Sequence, residues 1–344
     1  MVENPELSAC DPQALLDAAQ AWIAPALRQA VHSLPTRINR LAEIHFGWRT
    51  ATGKAVEEPA QGKALRPALV LHSCTALGGE RVKALPSAVA VELVHNASLV
   101  QDDVLDGDRE RRGRPALWDV CGVPAGVLTG DALLLLALET LLHAGDLDAA
   151  RRLGRAMQQL FDGEYGDTLL DGRSLATAHE VNAMIEGKTA ALIETSCALG
   201  AMAADAEALK VAHMAAFGFH LGMAFQMTDD LLGVWGDPVR TGKSADTDIR
   251  RRKKTTVLAA ALDGIGAAPG QELAQLLAKQ GELTDTEVSR IAQLMETVGA
   301  RTRVSKAARH HVSIAKRRLE AALPTRQARN ELEALAELII KRDH

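Results

Sequence analysis

The chain has 344 residues, and 39 Lys plus Arg against 44 Asp plus Glu leave a formal net charge of −5. Hydrophobic residues at 47% and charged residues at 24% describe a folded globular chain and exclude a disordered one. The mild charge excludes bulk electrostatic capture of nucleic acid or of an anionic membrane, so any anion site must be built from local charge.

Five Phe, four Trp and one Tyr are few aromatics for this length, and the abundance of Ala and Leu favours helix over sheet. Cys10, Cys74, Cys121 and Cys197 show no metal-ligand spacing and no disulfide framework, as expected of a cytoplasmic protein. No basic segment leads into an apolar run near the start, so no signal peptide is expected. The longest apolar stretch, Ala125–Ala144, is cut by Asp131 and Glu139, so no transmembrane segment is expected either.

Taken in order, residues 11–46 read as one or two amphipathic helices, Gly47–Gly62 as a loop and Leu65–Leu77 as helix. Ser87 reads as the cap of a helix running through Val100. Further helices are expected over Asp131–His143, Ala149–Leu170, Ala178–Leu199 and Ala206–Leu232, followed by a loop over 233–253. Amphipathic helices resume from Asp285. No repeat and no β alternation interrupts this pattern, so a single all-α domain over residues 1–344 is expected.

The chemistry concentrates in two acidic clusters. Asp102 and Asp106 stand at i and i+4, one turn apart on one helix face, close enough to share divalent cations. Arg111-Arg112-Gly113 follows them. The second pair, Asp229-Asp230, ends another apolar helix and is also followed by cations. Carboxylates on helix ends beside Lys and Arg suit Mg²⁺ bound jointly with a diphosphate, and no Walker A sequence points to a nucleotide instead. The basic run Arg250 to Lys254 lacks interleaved aromatics, which argues against a nucleic-acid patch.

These motifs resemble, in order from Gly62 to about Thr255, those of the trans-isoprenyl diphosphate synthase (polyprenyl synthetase) family. The elements are Gly62-Lys63-Ala64-Leu65-Arg66-Pro67, His95-Asn96-Ala97-Ser98-Leu99, Asp102 to Gly113, and Gly130-Asp131. Lys188-Thr189, Phe225 to Asp230, Gly242-Lys243 and Lys253-Lys254-Thr255 follow. The resemblance implies an isoprenoid synthase-type helical bundle around a central cleft, a homodimer, and roughly three Mg²⁺ ions. It implies that Asp102, Asp106 and Asp229 hold Mg²⁺ on an allylic diphosphate, with Arg111, Lys188, Thr189, Gln226, Lys243 and Lys253 contacting or supporting that diphosphate. Lys63, Arg66, His95 and Arg112 would bind isopentenyl diphosphate. Two trianionic substrates side by side require this density of cations on general grounds as well.

The implied reaction is ionisation of the allylic diphosphate, condensation with isopentenyl diphosphate and loss of a proton. Residues preceding Asp102 by successive turns of about 5.4 Å would act as floors for the growing tail: Ala97 and Ser98 are small, with Leu93 and Val94 one turn beyond. With no bulky aromatic near Ala97 and no insertion in the first motif, geranylgeranyl diphosphate (C20) or a longer product is expected. Two departures stand out: Gly233 replaces the family's last aspartate in the second motif, and Arg252 replaces a usual Gly. They leave two rival readings, a terpene synthase-like cyclase and a noncatalytic partner subunit of a heteromeric synthase. Retention of Lys63, Arg66, His95 and Arg112 argues against the first, and retention of Asp102, Asp106, Arg111, Arg112, Lys188 and Asp229 against the second.

Overall fold

The computed structural model describes residues 11–57, 62–171, 173, 175–236, 246–263, 268–323 and 325–340. The all-α expectation holds: among these residues the only named strands are β1 (Glu110–Arg111) and β2 (Arg114–Pro115), a single short hairpin. The chain folds as two units, the first within Met1–Arg155, Thr195–Ala215 and Leu319–Leu335, the second within Ala156–Glu194, Ala216–Arg318 and Ala336–His344.

The first unit is built on α1 (Pro12–His32), α2 (Thr36–His45), α3 (Leu65–Ala76), α4 (Arg81–Leu105), α5 (Leu117–Cys121) and α6 (Val123–His143). Asp11 caps α1 by accepting the Gln13 N–H at 3.0 Å. Helix α4 lies mainly against α3 and α6, and Ala88, Val91, Leu93, Val94 and Ala97 on it are completely buried.

Two helix starts in the first unit differ from the sequence reading, and in the second unit the expected loop over 233–253 gives way to helix as far as Trp235 and again over Thr247–Arg250. Helix α4 begins at Arg81, and Ser87 is a buried mid-helix residue rather than a cap. Pro86 reads as a stop signal, yet this close to a helix start it forfeits one backbone hydrogen bond while burial of Ala84 and Ala88 continues the core face. Helix α6 begins at Val123, ahead of the expected Asp131, because Gly126 and Gly130 are helical. Glycine lowers helix propensity, but here α4 needs the space: a Cβ on Gly126 would come within 2.7 Å of Val104 Cγ2, and one on Gly130 within 2.7 Å of Gln101 Cγ.

The second unit begins in α7 (Leu147–Asp171) and continues through α8 (Ala178–Ile185), a π-helical turn (Glu186–Ala190) and α9 (Ala191–Ala203). It takes in α10 (Ala208–Trp235), α11 (Thr247–Arg250), α12 (Thr256–Leu262), α13 (Ala268–Ala278) and α14 (Asp285–Thr297). α15 (Ala300–Ala322) and α16 (Arg326–Ile340) complete the chain and, like α7, α9 and α10, contribute to both units. Val181, Ile185, Met223, Val257, Leu273 and Ile291 sit in one core cluster. Thr177 with Glu180 and Thr284 with Glu287 form capping boxes that start α8 and α14.

The expected helix Ala178–Leu199 is thus interrupted by the π turn that carries Lys188 and Thr189. That turn packs against α7 through glycines. A Cβ on Gly163 would meet Lys188 N at 2.2 Å, and one on Gly187 would meet Gln159 O at 2.4 Å. Helices α6 and α10 are long and apolar enough to cross a membrane by length and composition. In the structure each puts part of that apolarity into the core, burying Leu133, Leu136, Ala137 and Leu141 from one and Met214, Phe217, Leu221 and Ala224 from the other.

Candidate active site

In the first unit, the acidic motif closes α4. Asp106 is the C-cap residue, and its N–H donates to Asp102 O at 2.8 Å, which preserves the one-turn spacing of the two carboxylates. Asp102 is half-buried and Asp106 exposed, so both face solvent. Asp103 points the other way, 1% exposed, and accepts from Arg111 Nε at 2.7 Å while Arg111 Nη2 closes an ion pair with the same oxygen. Burial pushes the Asp103 carboxyl upward against the pull of Arg111.

The hairpin sets the two arginines apart. Arg112 (φ +53°) and Gly113 (φ +69°) are both left-handed, the pattern of a two-residue type I′ turn between Arg111 and its partner Arg114. Arg111 therefore reaches back to Asp103, whereas the Arg112 guanidinium lies on Gly62, where a Cβ would be 2.5 Å from its Nη2. Arg66, in the first turn of α3, buries its Nε without a hydrogen-bond partner. His95 is half-buried on α4 and is held well below the ordinary imidazole value, first by burial and then by the charges of Arg66 and Arg112. His95 thus senses the charges of both Arg66 and Arg112. Lys63 is exposed beside it in the chain.

Of the expected tail floor, Leu93, Val94 and Ala97 are completely buried. Ser98 is half-buried, its hydroxyl donating to His95 O at 2.8 Å.

In the second unit, Lys188 Nζ contacts Glu164 Oε2 at 2.7 Å and Asp167 Oδ2 at 2.8 Å, and Lys253 Nζ stands 3.9 Å from the same Asp167 oxygen. Thr189 Oγ1 donates to Gln226 Oε1 at 2.9 Å, and Gln226 Nε2 donates to Asp230 Oδ1 at 2.9 Å. Asp230 Oδ2 accepts from Thr256 N at 2.8 Å and Thr256 Oγ1 at 2.7 Å. Burial pushes the Asp230 carboxyl up to about 6 despite these donors. Asp230 therefore braces α10 against the start of α12, while its neighbour Asp229 is exposed. Lys243 lies outside the described residues.

Sequence reasoning missed the acidic face of α7. Glu164, Asp167 and Asp171 recur at three- and four-residue intervals, which is the signal that marks them. It also missed the buried Glu92-Asn96-His45 chain in the first unit, for which linear sequence carries no signal, and Asp248. An ideal Cβ on Gly233 would lie 2.1 Å from Asp248 Oδ2, so Asp248 fills the space left by the missing motif aspartate. At the second departure, Arg252 takes the left-handed conformation natural to glycine (φ +51°), and its Nη2 donates to Lys279 O at 2.9 Å and Gly281 O at 2.8 Å.

The donor set fits Mg²⁺. The carboxylates are hard oxygen ligands, and Asp102, Asp106 and Asp229 are half-buried or exposed, so a partly hydrated divalent cation can reach them. Among the described residues no three His, Cys, Asp or Glu side chains converge into a protein-only cage. Mg²⁺ held by one or two carboxylates, water and phosphate oxygens requires none.

Comparison with known proteins places this arrangement. A polyprenyl synthetase family model matches residues 52–297. The chain is 39% identical over 335 residues to a geranylgeranyl diphosphate synthase of Mycobacterium tuberculosis, covering 96% of this chain and 94% of that one. It is 40% identical over 306 residues to a (2E,6E)-farnesyl diphosphate synthase of Mycobacterium bovis, covering 87% and 84%. A solved polyprenyl synthetase from Streptomyces coelicolor superimposes with a TM-score of 0.91 at 37% identity, covering 96% of this chain and 100% of that one. The chain belongs to the polyprenyl synthetase family and is a chain-elongating prenyl diphosphate synthase, a transferase of prenyl groups.

Proposed function

We propose that the protein is a Mg²⁺-dependent synthase that condenses isopentenyl diphosphate with an allylic diphosphate to give geranylgeranyl diphosphate. The observation that carries this reading is the pair of arginines, Arg66 and Arg112, whose charges both act on His95, with Arg66 Nε buried and without a hydrogen-bond partner, in the same unit as the Asp102–Asp106 face. A cyclase uses one diphosphate and needs no such second pocket; an elongating enzyme needs one for its second substrate.

In this reading Asp102, Asp106 and Asp229 hold the ions on the allylic diphosphate. Bound Mg²⁺ would supply positive charge against the charge developing on the leaving group. Lys188, Lys253, Lys243, Thr189 and Gln226 bind that diphosphate, and Arg111 stiffens the first motif through Asp103. Preorganised cations lower the barrier because charge accumulates on diphosphate oxygens as the C1–O bond breaks. Lys63, Arg66, His95 and Arg112 orient isopentenyl diphosphate so that its double bond attacks C1. The new C–C bond forms, and the released diphosphate takes the proton lost from the condensed chain. Aliphatic walls exclude water from the cation.

The product assignment rests on the small, half-buried Ser98 on α4 and on the geranylgeranyl diphosphate synthase relative that matches along nearly its whole length. A second copy of the chain covers α6, where Leu128, Leu135 and Leu142 are 54%, 64% and 52% exposed at seven-residue spacing on one face. Free Cys74, Cys121 and Cys197 suit the cytoplasm.

Mass spectrometry after incubation with Mg²⁺, isopentenyl diphosphate and C5, C10 or C15 allylic diphosphates tests the assignment. A C20 diphosphate is expected. A C15 end product refutes the chain length, and a hydrocarbon or alcohol formed with isopentenyl diphosphate untouched refutes elongation.

A further inference from the structure

Asp167 lies on α7 and is only 4% exposed. Gly163 stands one turn before it on the same helix face, where a Cβ would meet Lys188 N at 2.2 Å. The glycine thus lets the π turn approach α7 closely, and the approach delivers Lys188 to the carboxylate. Lys188 Nζ donates to Asp167 Oδ2 at 2.8 Å, and Glu164 Oε2 meets the same ammonium group at 2.7 Å. Lys253 Nζ, from the segment between α11 and α12, stands 3.9 Å from that Asp167 oxygen. One carboxylate oxygen therefore meets ammonium groups from two segments that lie far apart in the chain. Asp167 Oδ1 is buried without a hydrogen-bond partner among the described residues, and the lysines at Oδ2 offset the cost of burying the charge.

Two physical effects of Asp167 on an anion bound by these lysines oppose each other. A lysine side chain is long and flexible and loses rotamer freedom when it fixes an anion, so a carboxylate that already holds the ammonium group lowers the entropy cost of binding. The same carboxylate repels an incoming diphosphate. Asp167 is buried whereas Lys188 and Lys253 are half-buried, so a ligand arriving from solvent meets the ammonium groups before the carboxylate. Positioning therefore outweighs repulsion.

We propose that Asp167 is a positioning residue for the first substrate: its buried carboxylate holds Lys188 and Lys253 together as a preformed seat for the allylic diphosphate. This rests on the reading above in which those two lysines bind that diphosphate. Asp167 touches neither substrate nor metal in this role. Its loss weakens allylic binding and spares both isopentenyl diphosphate and the Mg²⁺ requirement.

The test is steady-state kinetics of the full-length protein with each substrate and Mg²⁺ varied in turn, beside thermal denaturation. Asp167→Asn keeps the shape and an acceptor for Lys188 but removes the charge that attracts Lys253, and is expected to raise allylic KM about threefold. Asp167→Ala removes both and is expected to raise it about tenfold or more. In each variant KM for isopentenyl diphosphate and the Mg²⁺ concentration giving half-maximal rate stay near wild type. Because Asp167 acts through the lysines, Asp167→Asn should raise allylic KM less in a Lys253→Met background than in the wild type. That comparison decides the matter should Asp167→Ala fold poorly.

An allylic KM that falls in the Asp167 variants would show a carboxylate that merely competes with the diphosphate. Equal losses for both substrates would show a general effect on the fold, and a raised Mg²⁺ requirement would show a metal ligand. Each of these, or an unchanged allylic KM, overturns the assignment. Should Lys188→Ala and Lys253→Ala themselves leave allylic KM unchanged, the reading of the two lysines fails, and this one with it.

Discussion

The Asp248 carboxylate stands where the side chain of Gly233 would begin, its Oδ2 2.1 Å from the position of an added Cβ. Gly233 is one turn beyond Asp229 on α10, and side chains at i and i+4 share a helix face. The carboxylate missing from the second motif is therefore replaced in space by one from α11. Restoring the family residue should harm the protein, because two carboxylates would claim one place. Gly233→Asp is expected to lower both thermal stability and Mn²⁺ affinity, measured by paramagnetic relaxation. Gly233→Asp combined with Asp248→Ala is expected to recover part of each loss, with a coupling of about 1 kcal/mol or more. Independent, additive losses would refute the replacement.

Asp102→Ala removes one member of the pair at the end of α4. Turnover should fall at least a hundredfold, about 2.7 kcal/mol in barrier, with the melting temperature little changed, since Asp102 is only half-buried near the end of α4. A loss smaller than tenfold would show that Asp102 is not a metal ligand.

The tail floor separates into two experiments. Ala97 is completely buried, so Ala97→Phe overpacks the core and should cost about 1–3 kcal/mol of stability. Ser98 keeps an accessible face, so Ser98→Phe should shorten the product with a smaller loss in melting temperature. Product analysis beside thermal denaturation distinguishes these outcomes.

Lys188 depends on the glycine contact beneath it. Gly163→Ala would set a Cβ 2.2 Å from the Lys188 amide nitrogen, and backbone cannot yield as a side-chain tip can. We expect a lower melting temperature and a raised allylic KM, with KM for isopentenyl diphosphate unaffected. Equal effects on both substrates would mean that the π turn has no selective role.

His45 gives stability a pH dependence of known sign. Its value in the folded protein, about 3, lies below the ordinary 6.5. Between those values the unfolded chain binds the extra proton and the native state does not. The contribution is therefore complete above pH 6.5 and is lost as pH falls toward 3. Urea denaturation from pH 7 to pH 4 should show a shallower decline for His45→Gln than for the wild type.

How much of this was legible in advance differs between residues. Apolar periodicity and turn residues were enough for an all-helical chain, because helix formation and face burial follow local spacing. The acidic pair Asp102 and Asp106 was legible for the same reason, since one turn of helix turns a spacing of four into one face. Motif order pointed to the cations Lys63, Arg66, Arg112, Lys188 and Lys253 and to the family. The helix starts at Arg81 and Val123 were not legible, because Pro86, Gly126 and Gly130 weaken local propensity while helix packing pays for them. Nor was the exchange of Gly233 for Asp248, the anchoring of Glu92 by His45 across 47 positions in the chain, or the outward face of Asp102 against the inward face of Asp103. Those depend on which side chains meet after the chain has folded, and desolvation, charge pairing and close contact act on spatial neighbours whatever their distance in sequence.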